Sequence, residues 1–200
     1  MMRHLLTGLL TAGLVLLASP ATAVSTAAVS TAASSGTASA NGEAGLLDHE
    51  LRRLHSSEVV DLQERLGGAP LLLVNTASRC GFTGQFEGLE ALHQRYHTRG
   101  LRVAGFSSND FNQEIDEEGA AEVCFVNFGV TFDMFAPIAV RGPEAHPLFA
   151  ELARQSEAPR WNFTKYLVNA DGEVVAHFGS SVRPDSRQMR RAIEALLADH

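Results

Sequence analysis

Two cysteines are the residues of this chain best suited to covalent chemistry. Cys80 follows an apolar run, LLLV at 71–74, and precedes a segment whose apolar residues recur at helical spacing. Such a run is typical of a strand buried on both faces. A thiolate at the start of a helix is stabilised by unpaired N–H groups and the helix dipole, and Arg79 adds a positive charge. We therefore expect Cys80 to be a nucleophile; the alternative is a buried, inert thiol.

The second cysteine, Cys124, leaves two possibilities open. Two cysteines are too few for a four-cysteine zinc or iron–sulfur site or for a multi-disulfide scaffold. In an oxidising compartment they can form one structural disulfide, or they can take part in a redox cycle. His93 and His97 share a helix face but have no third ligand nearby in the sequence, so we expect neither a metal nor another cofactor.

The N-terminal quarter of the chain is predicted to lie outside the folded domain. Residues 1–23 combine a basic start, an apolar run and small residues before position 24, as secretory signal peptides do. Residues 24–46 are rich in Ala, Ser and Thr, which favours a disordered linker. The sequence thus predicts an exported protein, periplasmic or extracellular, with one domain over 47–200 and no membrane insertion after cleavage; the alternative is an uncleaved signal anchor.

The elements of that domain follow from the hydrophobic periodicity. A strand, a helix and a second strand in succession form a βαβ unit, so the two strands should be parallel neighbours. A β-hairpin and a closing amphipathic helix come later in the chain. This order predicts an α/β, thioredoxin-like fold with a central mixed sheet and helices on both faces. The predicted strands and helices are 71–74, 85–99, 101–106, 117–128, 131–140, 147–155, 163–169, 173–178 and 184–198.

Composition excludes several functional classes. The chain is 45% hydrophobic and 20% charged, which is ordinary for a globular protein and excludes fibrous, fully disordered and polytopic membrane proteins. The net charge of −7 gives no sequence-wide basic surface for nucleic acid, so no nucleic-acid partner is expected.

Three stretches resemble motifs of the glutathione peroxidase family. Residues 74–83 read VNTASRCGFT, similar to the family's peroxidatic-site motif; residues 105–111 read GFSSNDF and residues 161–167 read WNFTKYL. The resemblance extends over the whole predicted domain and implies a thioredoxin-like fold. It also implies a peroxidase in which a thiolate attacks a hydroperoxide and becomes a sulfenic acid.

The resemblance assigns roles to particular residues. It implies that Cys80 is the peroxidatic nucleophile and that Trp161 and Asn162 donate hydrogen bonds around its sulfur. The glutamine donor of the family is expected at Asp110, whose ionised carboxylate accepts hydrogen bonds and donates none. Gln113 could instead supply the missing amide, or Asp110 could pair with Lys165 or Arg79.

The segment EVCFVNFGVTF at 122–132 resembles the part of non-animal family members that carries the resolving cysteine. This implies that Cys124 forms a disulfide with oxidised Cys80, after its helix unwinds, and that a dithiol reductant, either a thioredoxin-like protein or glutathione, reduces it. The short segment between Phe149 and Trp161 resembles the monomeric, thiol-dependent members, so we expect a monomer. The alternative is a non-catalytic exported module with a structural Cys80–Cys124 disulfide.

Overall fold

The computed structural model describes residues 45–200. The predicted signal peptide, and the predicted linker except for its last two residues, lie outside the described residues. Leu46, at the end of that predicted linker, is buried together with Leu47 against helix and strand residues of one core cluster.

Seven strands and five α-helices make up the described part of the chain. The strands are β1 Glu50–Arg52, β2 Val59–Asp61, β3 Leu71–Thr76, β4 Arg102–Ser107, β5 Asp133–Phe135, β6 Lys165–Val168 and β7 Val174–Phe178. The helices are α1 Leu62–Leu66, α2 Gln85–Tyr96, α3 Glu117–Ala121, α4 Pro147–Gln155 and α5 Arg187–Ala198. A 3-10 turn over His97–Arg99 ends α2, and a π-helix over Glu122–Asn127 continues α3.

The central sheet has five strands in the order β5-β4-β3-β6-β7. Strands β3, β4 and β5 are parallel neighbours, whereas β6 runs antiparallel to both β3 and β7. The predicted mixed sheet and the predicted parallel pairing of β3 with β4 are both confirmed. The hairpin between β6 and β7 turns at Gly172, whose φ of 84° suits glycine.

Hydrophobic cores cover both faces of this sheet. Alternate residues of β3 point to opposite faces: Leu72 and Val74 join the cluster that α2 and α5 cover, and Leu71 and Leu73 join the one that α1 and α4 cover. The helices therefore lie on both faces, as predicted. Both Cys80 and Cys124 belong to the cluster beneath α2.

The structure corrects several predicted boundaries. Helix α2 begins at Gln85 as predicted but ends at Tyr96, and a turn over 81–84 separates it from Cys80. The predicted helix over 117–128 divides into α3 and the π-helix, and only Asp133–Phe135 of the predicted extended segment 131–140 pairs as a strand. The hairpin of β1 with β2 was missed because each strand is three residues long with little apolar alternation. Within residues 45–200, no helix has the length and apolar character needed to cross a membrane.

Candidate active site

Cys80 lies in the turn that connects β3 to α2, with 7% of its surface exposed. Its Sγ accepts a hydrogen bond from the backbone N–H of Phe82 at 3.4 Å. Thr83 holds the turn closed, because its Oγ1 accepts from the Cys80 N–H at 3.1 Å and its N–H donates to the Cys80 carbonyl at 3.0 Å. The site thus has a nearly enclosed sulfur with one fixed amide donor.

Gln113 and Asn162 are brought together beside this turn. The N–H of Arg79, the residue before Cys80, donates to the Gln113 carbonyl at 2.8 Å. The Gln113 Oε1 accepts from Asn162 Nδ2 at 3.1 Å. Asn162 is fully buried, and its Oδ1 has no partner among the described residues. Two side-chain amides from distant segments therefore meet next to the cysteine turn.

Trp161 is a surface residue of the same site. Its side chain is 40% exposed, and its ring packs against the ring of Phe111 at a centroid distance of 5.1 Å. The guanidinium of Arg141 lies over the Phe111 ring at 5.0 Å. The indole is thus held at the edge of the site by an aromatic neighbour and not by the core.

Asp110 has backbone partners. Its Oδ2 accepts from the N–H groups of Val140 at 2.6 Å and Arg141 at 3.1 Å, rather than from Lys165 or Arg79. The carboxylate therefore holds the loop at 140–141 and leaves the amide beside Asn162 to come from Gln113, the alternative that the sequence left open.

Cys124 lies in the π-helix, 3% exposed and a free thiol like Cys80. Burial, together with the smaller effect of the nearby charge of Glu114, raises the pKa of the Cys124 thiol from 9.0 to about 12. A π-helix is a strained and rare form that occurs mostly at functional sites. The helix predicted to unwind is therefore one with irregular backbone hydrogen bonding.

Glu114 is a site residue that the sequence did not reveal. Its Oε1 accepts from the Ser78 N–H at 3.0 Å and from the Ser78 hydroxyl, and its Oε2 accepts from the Ser107 hydroxyl at 2.6 Å. Its neighbour Asp116 caps α3 by accepting from the Gly119 N–H at 2.8 Å. Glu114 instead ties the Cys80 turn to the end of β4.

Lys165, from the third motif, is fully buried at the start of β6. Its Nζ donates to the Gln85 Oε1 and, at 2.7 Å, to the Val182 carbonyl. Burial lowers the pKa of Lys165 from 10.5 to about 7. The ammonium joins the first residue of α2 to the loop after β7. Among residues 45–200, no group of three or more His, Cys, Asp or Glu side chains is placed to hold a metal ion.

Comparison with known proteins places this site in a family. The family model for glutathione peroxidase matches residues 47–153. The chain belongs to the glutathione peroxidase family. A glutathione peroxidase of Lactococcus lactis is 44% identical over 137 residues, covering 65% of this chain and 86% of that protein. The hydroperoxy fatty acid reductase gpx1 of Synechocystis is 44% identical over 144 residues, covering 65% of this chain and 83% of that protein.

A solved structure agrees with the fold. The crystal structure of Trgpx in its apo form superposes with a TM-score of 0.61 at 28% identity, covering 78% of this chain and 97% of that one. The thioredoxin-like fold expected from the sequence is therefore confirmed, as is the expected family. As a glutathione peroxidase family member, the chain is a thiol-dependent peroxidase. The individual roles of its residues stay predictions.

Proposed function

We propose that Cys80 is the peroxidatic nucleophile and that Gln113, Asn162 and Trp161 surround the reacting oxygens. The observation that carries this proposal is the meeting of Gln113 with Asn162 against the residue that precedes Cys80. Amide and indole N–H groups are the donors that a developing oxyanion needs. Asp110 is not part of this group, because its carboxylate is committed to backbone N–H groups.

The proposed reaction is a two-electron reduction of the peroxide. The Cys80 thiolate attacks one oxygen of the hydroperoxide, an S–O bond forms, and the O–O bond breaks to release an alcohol or water that takes up a proton. The sulfenic acid left on Cys80 then condenses with the Cys124 thiol, which forms a disulfide and releases water. An external dithiol returns both sulfurs to thiols and is itself oxidised.

Two observations support a disulfide that forms and breaks rather than a structural bridge. The fold is complete with both thiols free. The segment that carries Cys124 is a π-helix with Phe125 and Val126 exposed at its surface, 39% and 75% respectively. The apolar side chains of Phe125 and Val126 therefore lose little packing when this segment opens.

The substrates that we propose are organic hydroperoxides as well as hydrogen peroxide. The Synechocystis relative is a hydroperoxy fatty acid reductase by name. In this chain, the exposed part of the Trp161 ring, which packs on the buried Phe111, offers an apolar surface next to Asn162. An organic hydroperoxide would lay its hydrocarbon part on the indole while its peroxide group reaches Cys80.

We further propose that the protein is exported by the signal peptide at residues 1–23 and acts as a monomer outside the cytosol. The basic, apolar and small-residue order of that segment supports export. The reductant would then be a dithiol protein or glutathione present in that compartment. Cleavage after Ala23 is tested by N-terminal sequencing of the protein recovered from the medium or periplasm.

The central experiment compares Cys80→Ser with Cys124→Ser. Cys80→Ser should abolish peroxide consumption with the fold intact, because a hydroxyl is a far weaker nucleophile at neutral pH. Cys124→Ser should still reduce one peroxide per molecule and stop at a sulfenic or over-oxidised Cys80. Intact mass after one equivalent of peroxide separates these states. Retained turnover in Cys80→Ser, or a wild-type protein that gains no internal disulfide, would contradict the proposed cycle.

A further inference from the structure

Asn75 occupies the point where β3 stops pairing with β6, although it still pairs with β4 on its other side. It lies in β3, is fully buried, and follows Val74, the last residue of β3 that pairs with β6. Beyond that pair the chain before β6 leaves the sheet, so its backbone groups need other partners. A buried amide side chain at this place carries a donor and an acceptor that must themselves be satisfied.

Asn75 satisfies all of these needs at once. Its Oδ1 accepts from the Thr164 N–H at 3.1 Å, and its Nδ2 donates to the Trp161 carbonyl at 3.2 Å. Its own carbonyl accepts from the Phe163 N–H at 2.7 Å. Three hydrogen bonds therefore join one residue of β3 to the four-residue turn at 161–164, hereafter the donor turn, which carries Trp161 and Asn162.

The donor turn needs such support because its backbone is unfavourable. Phe163 has a φ of 61°, in the left-handed region that bulky residues rarely adopt. Its conformation persists only where surrounding contacts hold it. Asn75 holds the turn on the β3 side, and the Ser180 hydroxyl holds it on the other by donating to the Asn162 carbonyl at 2.6 Å.

We propose that Asn75 is a positioning residue for peroxide reduction, which sets the donor turn relative to Cys80. The same strand that carries Asn75 leads directly into the Cys80 turn, so one rigid element places both the nucleophile and the groups assigned to assist it. This inference rests on the proposed roles of Cys80, Trp161 and Asn162. Asn75 touches no reacting atom; it acts through the backbone of the donor turn.

Two substitutions test this role with different severity. Asn75→Ala removes both side-chain hydrogen bonds, whereas Asn75→Asp keeps an acceptor for the Thr164 N–H and loses the donor to the Trp161 carbonyl. The matched control is Thr76→Val, the next residue of the same strand, whose buried hydroxyl has no partner among the described residues. Thr76→Val removes a polar group of the same strand without touching the donor turn.

The measurements separate positioning from general damage. The second-order rate of Cys80 with hydrogen peroxide should fall in both Asn75 variants, on the order of 10- to 100-fold, because displaced donors no longer meet the leaving oxygen. Alkylation of Cys80 by iodoacetamide has no such oxygen to stabilise and should change less than about threefold. In both Asn75 variants, acrylamide should quench the fluorescence of Trp161, the single tryptophan of the chain, more strongly than in wild type. Thr76→Val should resemble wild type in all three.

Each other result overturns a particular statement. An unchanged peroxide rate, or equal losses in peroxide reduction and alkylation, would overturn the positioning role. If neither Asn75 variant folds, as judged by circular dichroism, Asn75 is a determinant of folding and the inference is wrong. A wild-type protein that does not react with peroxide at Cys80 would overturn the proposed function itself and not the placement of the donor turn.

Discussion

Burial of Cys124 sets a quantitative requirement on how the disulfide forms. Its pKa is raised from 9.0 to about 12, so the closed π-helix contains the thiolate about 1,000-fold less often than an exposed thiol would. This rise in the pKa of Cys124 corresponds to about 4 kcal/mol. If opening the π-helix costs less than about 4 kcal/mol, most of the Cys124 thiolate belongs to the opened state. The opened state then supplies most of the thiolate that attacks oxidised Cys80.

A matched pair of substitutions at Val126 changes the cost of opening. Val126 lies two residues after Cys124 in the same π-helix and is 75% exposed, so its replacement removes little packing. Glycine is about 1 kcal/mol less favourable than alanine inside a helix. Relative to Val126→Ala, Val126→Gly should raise the population of the opened state about fivefold. Disulfide formation should accelerate by the same factor.

The assay is a single turnover with one equivalent of hydrogen peroxide. Samples are quenched with acid, remaining thiols are alkylated, and intact mass gives the fractions of reduced, sulfenic and disulfide protein over time. The first step, oxidation of Cys80, should have the same rate in both Val126 variants. The second step should rise about tenfold per pH unit and continue to rise past pH 9, because the dominant closed helix keeps the Cys124 thiol protonated there.

Equal rates of disulfide formation in Val126→Gly and Val126→Ala would refute this reasoning, because the attack would then occur from the closed helix. A rate of disulfide formation that levels off near pH 9 would refute it independently. That profile would show that Cys124 titrates as an exposed thiol, so the closed helix would not be the dominant state.

Two further predictions concern the residues around the site. Gln113→Ala should lower the rate of reaction with peroxide on the order of 100-fold, because it removes the partner of Asn162. Asp110→Asn should lower thermal stability through the 140–141 loop and change that rate less than about twofold. A larger loss of the stopped-flow rate in Asp110→Asn than in Gln113→Ala would return Asp110 to the site. Folding lowers the pKa of Lys165 to about 7. Between pH 7 and 10.5, Lys165 therefore keeps its proton in the unfolded chain but has released it in the folded chain. The free energy of unfolding must rise with pH in this window. Urea unfolding of wild type relative to Lys165→Met should show a gain of about 1.6 kcal/mol from pH 7 to 8.5, and a difference independent of pH would show that Lys165 stays charged.

The sequence by itself determined the order of the principal elements and the place of Cys80, the proposed nucleophile. The apolar run before Cys80 and the helical spacing after it are local patterns. Such patterns predict strands and helices well because the apolar residues that form them are the ones buried in the fold. The same reasoning located the hairpin of β6 and β7 and helix α4, whose bounds match the prediction. The motif around Trp161 and Asn162 was also readable, since it is contiguous in the chain.

Tertiary structure alone decided which side chains meet. The resemblance to the family placed Asp110 at the amide position, but loop geometry places Gln113 against Asn162 and turns Asp110 toward the backbone at 140–141. The anchoring of Glu114 by Ser78 and Ser107 likewise joins segments far apart in the chain. Periodicity reports which face of an element is buried, whereas a hydrogen bond between loops depends on distances of a few tenths of an ångström.

The π-helix and the contacts of Asn75 have the same origin. Residues 117–128 predict a helix by composition, yet the structure continues α3 as a π-helix, with Cys124 in the core and Phe125 and Val126 at the surface. In the sequence, Asn75 is only a polar residue at the end of a buried strand. Its hydrogen bonds to the donor turn become visible only in the structure. In both places the chain adopts a locally unfavourable backbone because packing and hydrogen bonds from distant segments compensate for it, and no local pattern records those partners.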